Sequence, residues 1–527
     1  MKIKNLISIF LLLGVISVPT YADEKGQQQQ LEILHQSVIN LIGQLTEKGV
    51  LTRDAADKLM RDAEESAAGS VAAQSGVAAT YTLPSVEPLK PGEVRVPYIP
   101  ESLKRDMTET IKQEVLAQAK GERWGDPGSL PGWLSRISFD GDFRLRYQRD
   151  GFPDGNATPG EFNPAGLPLI SNTTETHQYA RVQARLGMKA KVSDNTYTAF
   201  RFSTGTTSNP VSTNQTLGTG YNKSSLVLDR AFVHSEPYIW LAFSGGKIPN
   251  PWLSTDLVWD SDVNFEGVVT QLKGQVGDSW ASFLTVGAFP YQDIQRSDTI
   301  LANSKWLYGT QLGMVWSAPD TSNAQLGIAF YRFQNVEGIT NAIKGTNLYD
   351  YTAAQGLQKG NTLMYVNAAS DPVLYGIASK FQELNLTAKW DWAAFDPIHV
   401  ILTADFVRNL GYNQDEIATR LGPGYAPPEP RINGHQISLT VGVPKIKRAG
   451  EWQARIAYKY LERDAVLDAL TDSDFHLGGT NAKGFIVGGS YGVDDNTWMT
   501  LRWLSSDQID GLPLSIDSLQ IDLNTRF

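Results

Sequence analysis

The sequence predicts an all-β transmembrane barrel of about 16 antiparallel strands, preceded by an α-helical periplasmic segment. Two observations carry this reading: strand after strand alternates apolar and polar residues with strongly ionic polar faces, and the connections between strands alternate short and long. The last nine residues set the pattern. Leu519, Ile521, Leu523, Thr525 and Phe527 share one parity, and Gln520, Asp522, Asn524 and Arg526 share the other. Such a strand has one apolar face and one strongly polar face. A soluble sandwich strand also alternates, but it seldom stops on a terminal Phe. A transmembrane barrel strand meets lipid on one side and water on the other.

Composition narrows the class. The 527 residues include 47 Gly, no Cys and 10% aromatic residues, and the mean hydropathy is −0.25. Helical membrane proteins do not average so polar. Lys2 and Lys4 precede the apolar run Leu6 to Val18, and Thr20, Tyr21 and Ala22 offer a cleavage site, so residues 1–22 read as a secretory signal peptide. The run is too short to stay as a membrane helix. With no Cys, neither a lipid on the mature end nor a disulfide is available. Removing two of the 46 basic residues and none of the 56 acidic ones takes the formal charge from −10 to −12, which argues against a nucleic-acid partner.

The first strand, Arg136 to Arg149, sets Ile137, Phe139, Phe143, Leu145 and Tyr147 against Arg136, Asp140, Asp142, Arg144, Arg146 and Gln148. The second sets Val182, Ala184, Leu186 and Met188 against Arg181, Gln183, Arg185 and Lys189, and a third runs around Phe200, Arg201 and Phe202. Further strands are predicted near 224–234, 238–246, 264–273, 279–289, 306–317, 324–334, 381–392, 397–408, 433–443, 451–462, 483–493, 496–505 and 516–527. Connections such as Ser193-Asp194-Asn195 and Asp494-Asp495 are short, whereas 150–175, 206–222, 247–262, 335–380, 409–432 and 463–482 are long. Short turns on one side and long loops on the other fit a barrel with both termini in the periplasm. A β-sandwich or adhesin array would have to bury Arg and Lys at successive positions, a costly arrangement without partners.

Residues 23–66 carry Leu31, Leu34, Val38, Leu41 and Leu45 at spacings of three and four, followed past Gly49 by Ala55, Leu59 and Ala63. They read as amphipathic helices, either packed on each other or bundling subunits as a coiled coil. Residues 67–100 are an Ala/Ser/Gly-rich, then Pro-rich linker, and 101–132 hold a helix with Leu103, Met107, Ile111 and Val115 and a lead-in broken by Gly125, Pro127, Pro131 and Gly132. The barrel is expected over 133–527. Val96-Pro97-Tyr98-Ile99-Pro100, Trp124-Gly125-Asp126-Pro127, Leu130-Pro131-Gly132-Trp133 and Gly141-Asp142-Phe143-Arg144-Leu145-Arg146, together with the closing strand, resemble the proteobacterial "putative porin" family from about residue 90 onward. The resemblance implies an outer-membrane location among lipid and lipopolysaccharide. It also implies an assembly machinery that reads the strand ending at Phe527; small hydrophilic solutes are the expected cargo, and a homotrimer is expected because single barrels gain contact area between flat walls.

A barrel of this size leaves a water-filled lumen. Its candidate lining is Arg144, Arg146, Arg181, Arg185 and Arg201 on one wall, with Asp256, Asp260 and Asp262 in the third long loop and Glu266 just after it. In general porins that loop folds inward and sets acids opposite arginines; the resemblance implies the same geometry here, although the general porins' own loop motif is absent. The expected function is passive diffusion of small polar or charged solutes through an Arg-lined wall facing this loop. Lumenal arginines that are simply hydrated or paired with Asp140 and Asp142 are the bland alternative. A non-conducting barrel acting as adhesin or scaffold is the alternative function. An Arg wall suits phosphate or organic acids, whereas the net negative charge suits cations.

No cofactor, catalytic residue or metal ligand is expected. Asp260, Asp262 and Asn264 echo a calcium loop, but Phe265 stands where Gly is needed and Gln271 where Glu is needed. Gly488-Gly489-Ser490-Tyr491-Gly492 has the spacing of a nucleophile elbow but lies in strand alternation rather than at a strand-to-helix turn. The six His residues are scattered, and Ser438 near His435 is the best hydrolase pairing available. A receptor coupled to an inner-membrane energy complex would need a globular plug, and the N-terminal region has no such strand pattern.

Overall fold

The computed structural model describes residues 136–162, 170–297, 300, 302–319, 322–341, 346–370 and 372–527. The expected signal peptide (1–22), helices (23–66), linker (67–100) and helix with lead-in (101–132) all lie outside these residues.

Sixteen strands close into an antiparallel barrel: β1 (Ile137–Gly151), β2 (His177–Lys191), β3 (Thr196–Thr204), β4 (Leu226–Tyr238), β5 (Leu241–Pro249), β6 (Asn264–Val276), β7 (Trp280–Gln292), β8 (Lys305–Ser317), β9 (Asn323–Gln334), β10 (Gln382–Phe395), β11 (Ile398–Asn409), β12 (Asn433–Gly442), β13 (Trp452–Leu461), β14 (Ala482–Asp494), β15 (Thr497–Gln508) and β16 (Ser515–Arg526). Each of the sixteen coincides with an expected strand to within a few residues. Closure comes from β16 against β1, with Leu145 opposite Leu523 and Arg146 opposite Asp522. The backbones of Gly141 and Phe527 exchange two hydrogen bonds at 3.0 Å. Gly at 141 lets the Phe527 ring lie over the seam, where a Cβ would press on it and on the Arg185 carbonyl at 3.0 Å. A two-residue strand, Gln215–Thr216, pairs with β2 beyond the end of β3, and Leu363–Asn367 and Leu374–Ile377 form a separate small hairpin whose Ile377 joins the apolar core.

The alternation sorts cleanly by face. In β1, Phe139 and Leu145 are exposed on the outside, while Arg146, Gln148 and Asp150 are buried inside. The same outward belt continues through Leu186, Val268, Leu312, Ile328, Leu386, Ile437, Ile456, Val487 and Leu501. An apolar belt this extensive around a closed sheet is solvated by hydrocarbon, not water. Aromatic residues gather at both of its margins. At the short-turn end Tyr238 stacks on Trp240 and Trp390 on Trp392, and at the long-loop end Trp306 stacks on Tyr308. These are positions where amphipathic rings sit well at a membrane interface.

The long loops do not all stand clear of the lumen. Loop L3 (250–263), between β5 and β6, turns inward and buries Trp252, Leu257, Val258 and Trp259. Loop L7 (462–481), between β13 and β14, follows it with Val466, Leu467 and Leu470. Together with Phe265, Phe289, Leu307, Tyr331, Phe333 and Phe381 from the barrel wall and its margin they form one apolar core inside the barrel. Trp252 meets Phe265, Phe289 and Tyr331 edge-on, and Trp259 does the same to Phe265 and Tyr331 at 5.0 and 5.1 Å. Gly309 makes room for the Trp252 indole, which would lie 2.5 Å from a Cβ there. One side of the lumen is therefore filled by packed side chains, and the open passage is displaced to the opposite side.

This packing makes a direct prediction. Trp259→Ala should cost about 3–5 kcal/mol, read as a lowered unfolding midpoint of the detergent-solubilised barrel by circular dichroism, with strand content unchanged. An unshifted midpoint would mean that L3 contributes nothing to holding the interior.

Candidate functional site

The anchors of L3 begin at its backbone. Gln311 on β8 both donates to the Leu253 carbonyl and accepts from its amide, each at 2.8 Å. Thr255 donates from its amide and hydroxyl to Asp405 on β11, at 3.1 and 2.6 Å. The loop thus spans from the β8 wall to the β11–β13 wall. There Asp256 accepts from Gln436 at 2.7 Å and lies 3.5 Å from the Lys459 ammonium. The far end of the loop returns to β2, where Asp262 pairs with Arg185 at 3.2 Å and accepts from the Thr213 amide and hydroxyl at 3.0 Å.

L7 interlocks with it. The Asp260 amide donates to the Leu470 carbonyl at 2.9 Å, and the Asp260 carboxylate accepts from the Ser473 amide at 2.8 Å. Asp472 pairs with Lys459 at 2.6 Å. Asp474 is clamped between Arg146 at 3.0 Å and Arg502 at 2.6 Å. Loop residue Lys359, in the long segment between β9 and β10, donates to the carbonyls of His476 and Gly478. The inward fold of L7 was not foreseen, although Ala465-Val466-Leu467 and Ala469-Leu470 form an apolar run that an outer loop in water has no reason to carry.

These loops and the remaining wall enclose a cavity of about 600 Å³. Arg144, Arg185, Asp256, Asp260 and Asp262 all line it, joined by Lys389 on β10, Arg455 on β13 and Arg502 on β15 and by Asp472 and Asp474 from L7. The other expected residues stand elsewhere. Arg146 is 1% exposed and locked between Asp522 at 2.7 Å and Asp474, so it braces the wall under L7. Arg201 is shut in an ion pair with Asp229. Arg181 lies 5.6 Å over the Tyr179 ring and lines a separate cavity of about 410 Å³ nearer the long loops. Glu266 is a correction. It shares parity with the outward Val268 and pairs with Lys247 at 2.8 Å, so it faces out from the barrel. The expected pairing of lumenal arginines with Asp140 and Asp142 holds for one case, Arg185 with Asp142 at 2.9 Å.

Other sequence motifs resolve physically. Asp260, Asp262 and Asn264 are taken up by backbone amides, Arg185, Thr213 and Arg230. Among the described residues no group of three or more His, Asp or Glu is placed to hold a metal ion. His435 is exposed on the outer face beside Tyr460, whereas Ser438 points into the cavity. Three residues apart on one strand puts them on opposite faces. Gly488 to Gly492 lie within β14, with Ser490 hydrogen-bonded to Thr500 at 2.8 Å.

The model of the family described as "Putative porin" matches residues 35–527. The chain belongs to this porin family. No curated protein matches the porin. Among solved structures it is similar to OmpF of Salmonella typhi in complex with daunomycin, at 9% identity and a TM-score of 0.39, covering 74% of this chain and 97% of that one. It is also similar to the outer membrane channel DcaP of Acinetobacter baumannii, at 10% identity and 0.38 over 74% and 97%, and to the high-pH structure of OprB of Pseudomonas putida, at 10% and 0.44 over 77% and 97%. Family membership and the closed sixteen-stranded barrel support an outer-membrane channel.

The electrostatics of the loop acids are uneven. Burial would raise the Asp256 carboxyl, but Lys459 and Arg455 together outweigh it and hold it at about 2. Burial likewise opposes ionisation of Asp474, and Arg146 and Arg502 keep it well below the usual carboxylate range. Asp260 goes the other way: burial first, then nearby Asp472, pushes it up to about 8. At neutral pH it therefore keeps its proton, and raising the pH through about 8 adds one negative charge to the cavity. Across a KCl gradient in a planar bilayer, the cation-to-anion permeability ratio should rise between about pH 7 and pH 9, and Asp260→Asn should flatten that step. A profile equally flat in the unsubstituted porin would contradict the assignment.

Proposed function

We propose that the porin passes small polar or charged solutes by passive diffusion, filtered by size and by a transverse field. One pole of the field is the acids of L3 and L7, and the other is Arg144, Arg185, Lys389, Arg455 and Arg502 on the wall. The observation that carries this is the single cavity that both sets of side chains line, at the level where apolar packing narrows the lumen. Fixed opposite charges across a narrow aqueous path orient dipolar solutes and discriminate by charge. In the same reading the outward apolar belt meets outer-membrane lipid and lipopolysaccharide, and the strand ending at Phe527 is read by the assembly machinery. The barrels associate as trimers through their flat walls, and residues 23–132 lie in the periplasm.

Conductance separates this from a barrel serving only as adhesin or scaffold, which would show none. Replacing Arg144 and Arg185 with Gln should move the reversal potential in a salt gradient toward cation preference, since Asp142 and Asp262 lose their partner. Asp256→Asn with Asp262→Asn should move it the opposite way. Selectivity unchanged in both would remove the filter.

A further inference from the structure

The glycine-rich segment of β14 has a use that its resemblance to a catalytic turn conceals. Arg455 on β13, Gly488 on β14 and Arg502 on β15 lie side by side in one register row, and the next row is Gln453, Ser490 and Thr500. All six line a niche of about 190 Å³ in the wall. Strand spacing sets the two arginine Cα atoms about 10 Å apart, and the absent side chain at Gly488 leaves open the space between their stems. A Cβ there would lie 2.9 Å from the Leu501 carbonyl and 3.1 Å from Arg502 Cγ.

The charges in the niche are not all spoken for. Asp256 and Asp472 border it but are turned on Lys459, and Asp474 takes one terminal nitrogen of Arg502. Among the described residues Arg455 makes no ion pair and no side-chain hydrogen bond. A guanidinium presents a planar fork of donors that matches a carboxylate or phosphate edge, and it is weakly hydrated, so such an anion is its natural partner. Ser490 and Thr500 share a hydrogen bond at 2.8 Å, which leaves one of the two hydroxyls to donate, and the Gln453 amide, which gives one proton to the Val443 carbonyl at 3.1 Å, has a second beside it. The niche shares Gln453, Arg455 and Arg502 with the larger cavity, so it opens onto the solute path.

Building on the channel reading, we propose that this niche is a docking station for the oxyanion group of a permeating solute, a carboxylate or a phosphate, gripped by Arg455 and Arg502 across Gly488. Such a station draws anions out of bulk water and hands them on along the basic wall.

The test uses the full chain purified in detergent, titrated calorimetrically with succinate and, separately, with inorganic phosphate, alongside bilayer conductance. Binding of either probe is expected, and the stronger one names the group preferred. Arg455→Gln should weaken it at least about tenfold. Arg455→Lys, which keeps the charge but loses the fork, should fall between the two. Gly488→Val should weaken binding by filling the niche. Circular dichroism confirms that each variant is a barrel, and if the valine variant does not fold, the two Arg455 variants carry the test. Absence of binding to the unsubstituted chain, or equal affinity in Arg455→Gln, overturns the station. A porin that conducts without binding overturns the station alone, and one that binds without conducting overturns the channel reading instead.

Discussion

The interior of this barrel depends on a hydrophobic contact where a channel has least reason to bury anything. Trp252 and Trp259 pack edge-on against rings that strands β6, β7 and β9 direct inward, and L7 adds aliphatic side chains to the same cluster. Removing this much apolar surface from water fixes the two loops against one wall. The polar anchors then have a defined geometry to serve. Asp256 reaches Lys459 and Asp262 reaches Arg185 because Trp252 before them and Trp259 between them are seated.

That arrangement also explains how so many charged groups coexist inside the barrel. A carboxylate or guanidinium shut away from water needs a partner. Arg146 has Asp522 and Asp474, and Arg201 has Asp229. The cavity keeps the remainder hydrated. The lumen is therefore two regions: a packed side in which charge is neutralised pair by pair, and an open side in which cationic side chains meet water.

Much of this was legible from residue order. Period-two alternation placed all sixteen strands, because lipid on one side and a polar interior on the other enforce a strict inward-outward rhythm. Alternation also identifies Arg144 and Arg185 as inward, but parity cannot distinguish a guanidinium that lines the cavity from one shut away in an ion pair, so Arg146 and Arg201 read alike with them. Glu266 reads as lumenal from its nearness to the loop acids, yet it lies within β6, where its parity with Val268 turns it outward. The wall cations Lys389, Arg455 and Arg502 went unremarked because they belong to strands far from the first three in sequence and reach the cavity only through barrel closure. The inward fold of L7 is not signalled by alternation, since its apolar residues Val466, Leu467 and Leu470 sit in a loop with no strand period.

The seam between β1 and β16 carries a further implication for biogenesis. The two strands that must zip together are the first and last of the barrel, and the ion pair across their seam joins residues 376 positions apart. Until the last strand arrives, β1 presents a full ladder of unmet amides and carbonyls, a surface prone to pairing with any other extended chain. Ring completion is thus the latest event open to this topology, and a nascent copy stalled short of it would be a sticky intermediate needing an escort.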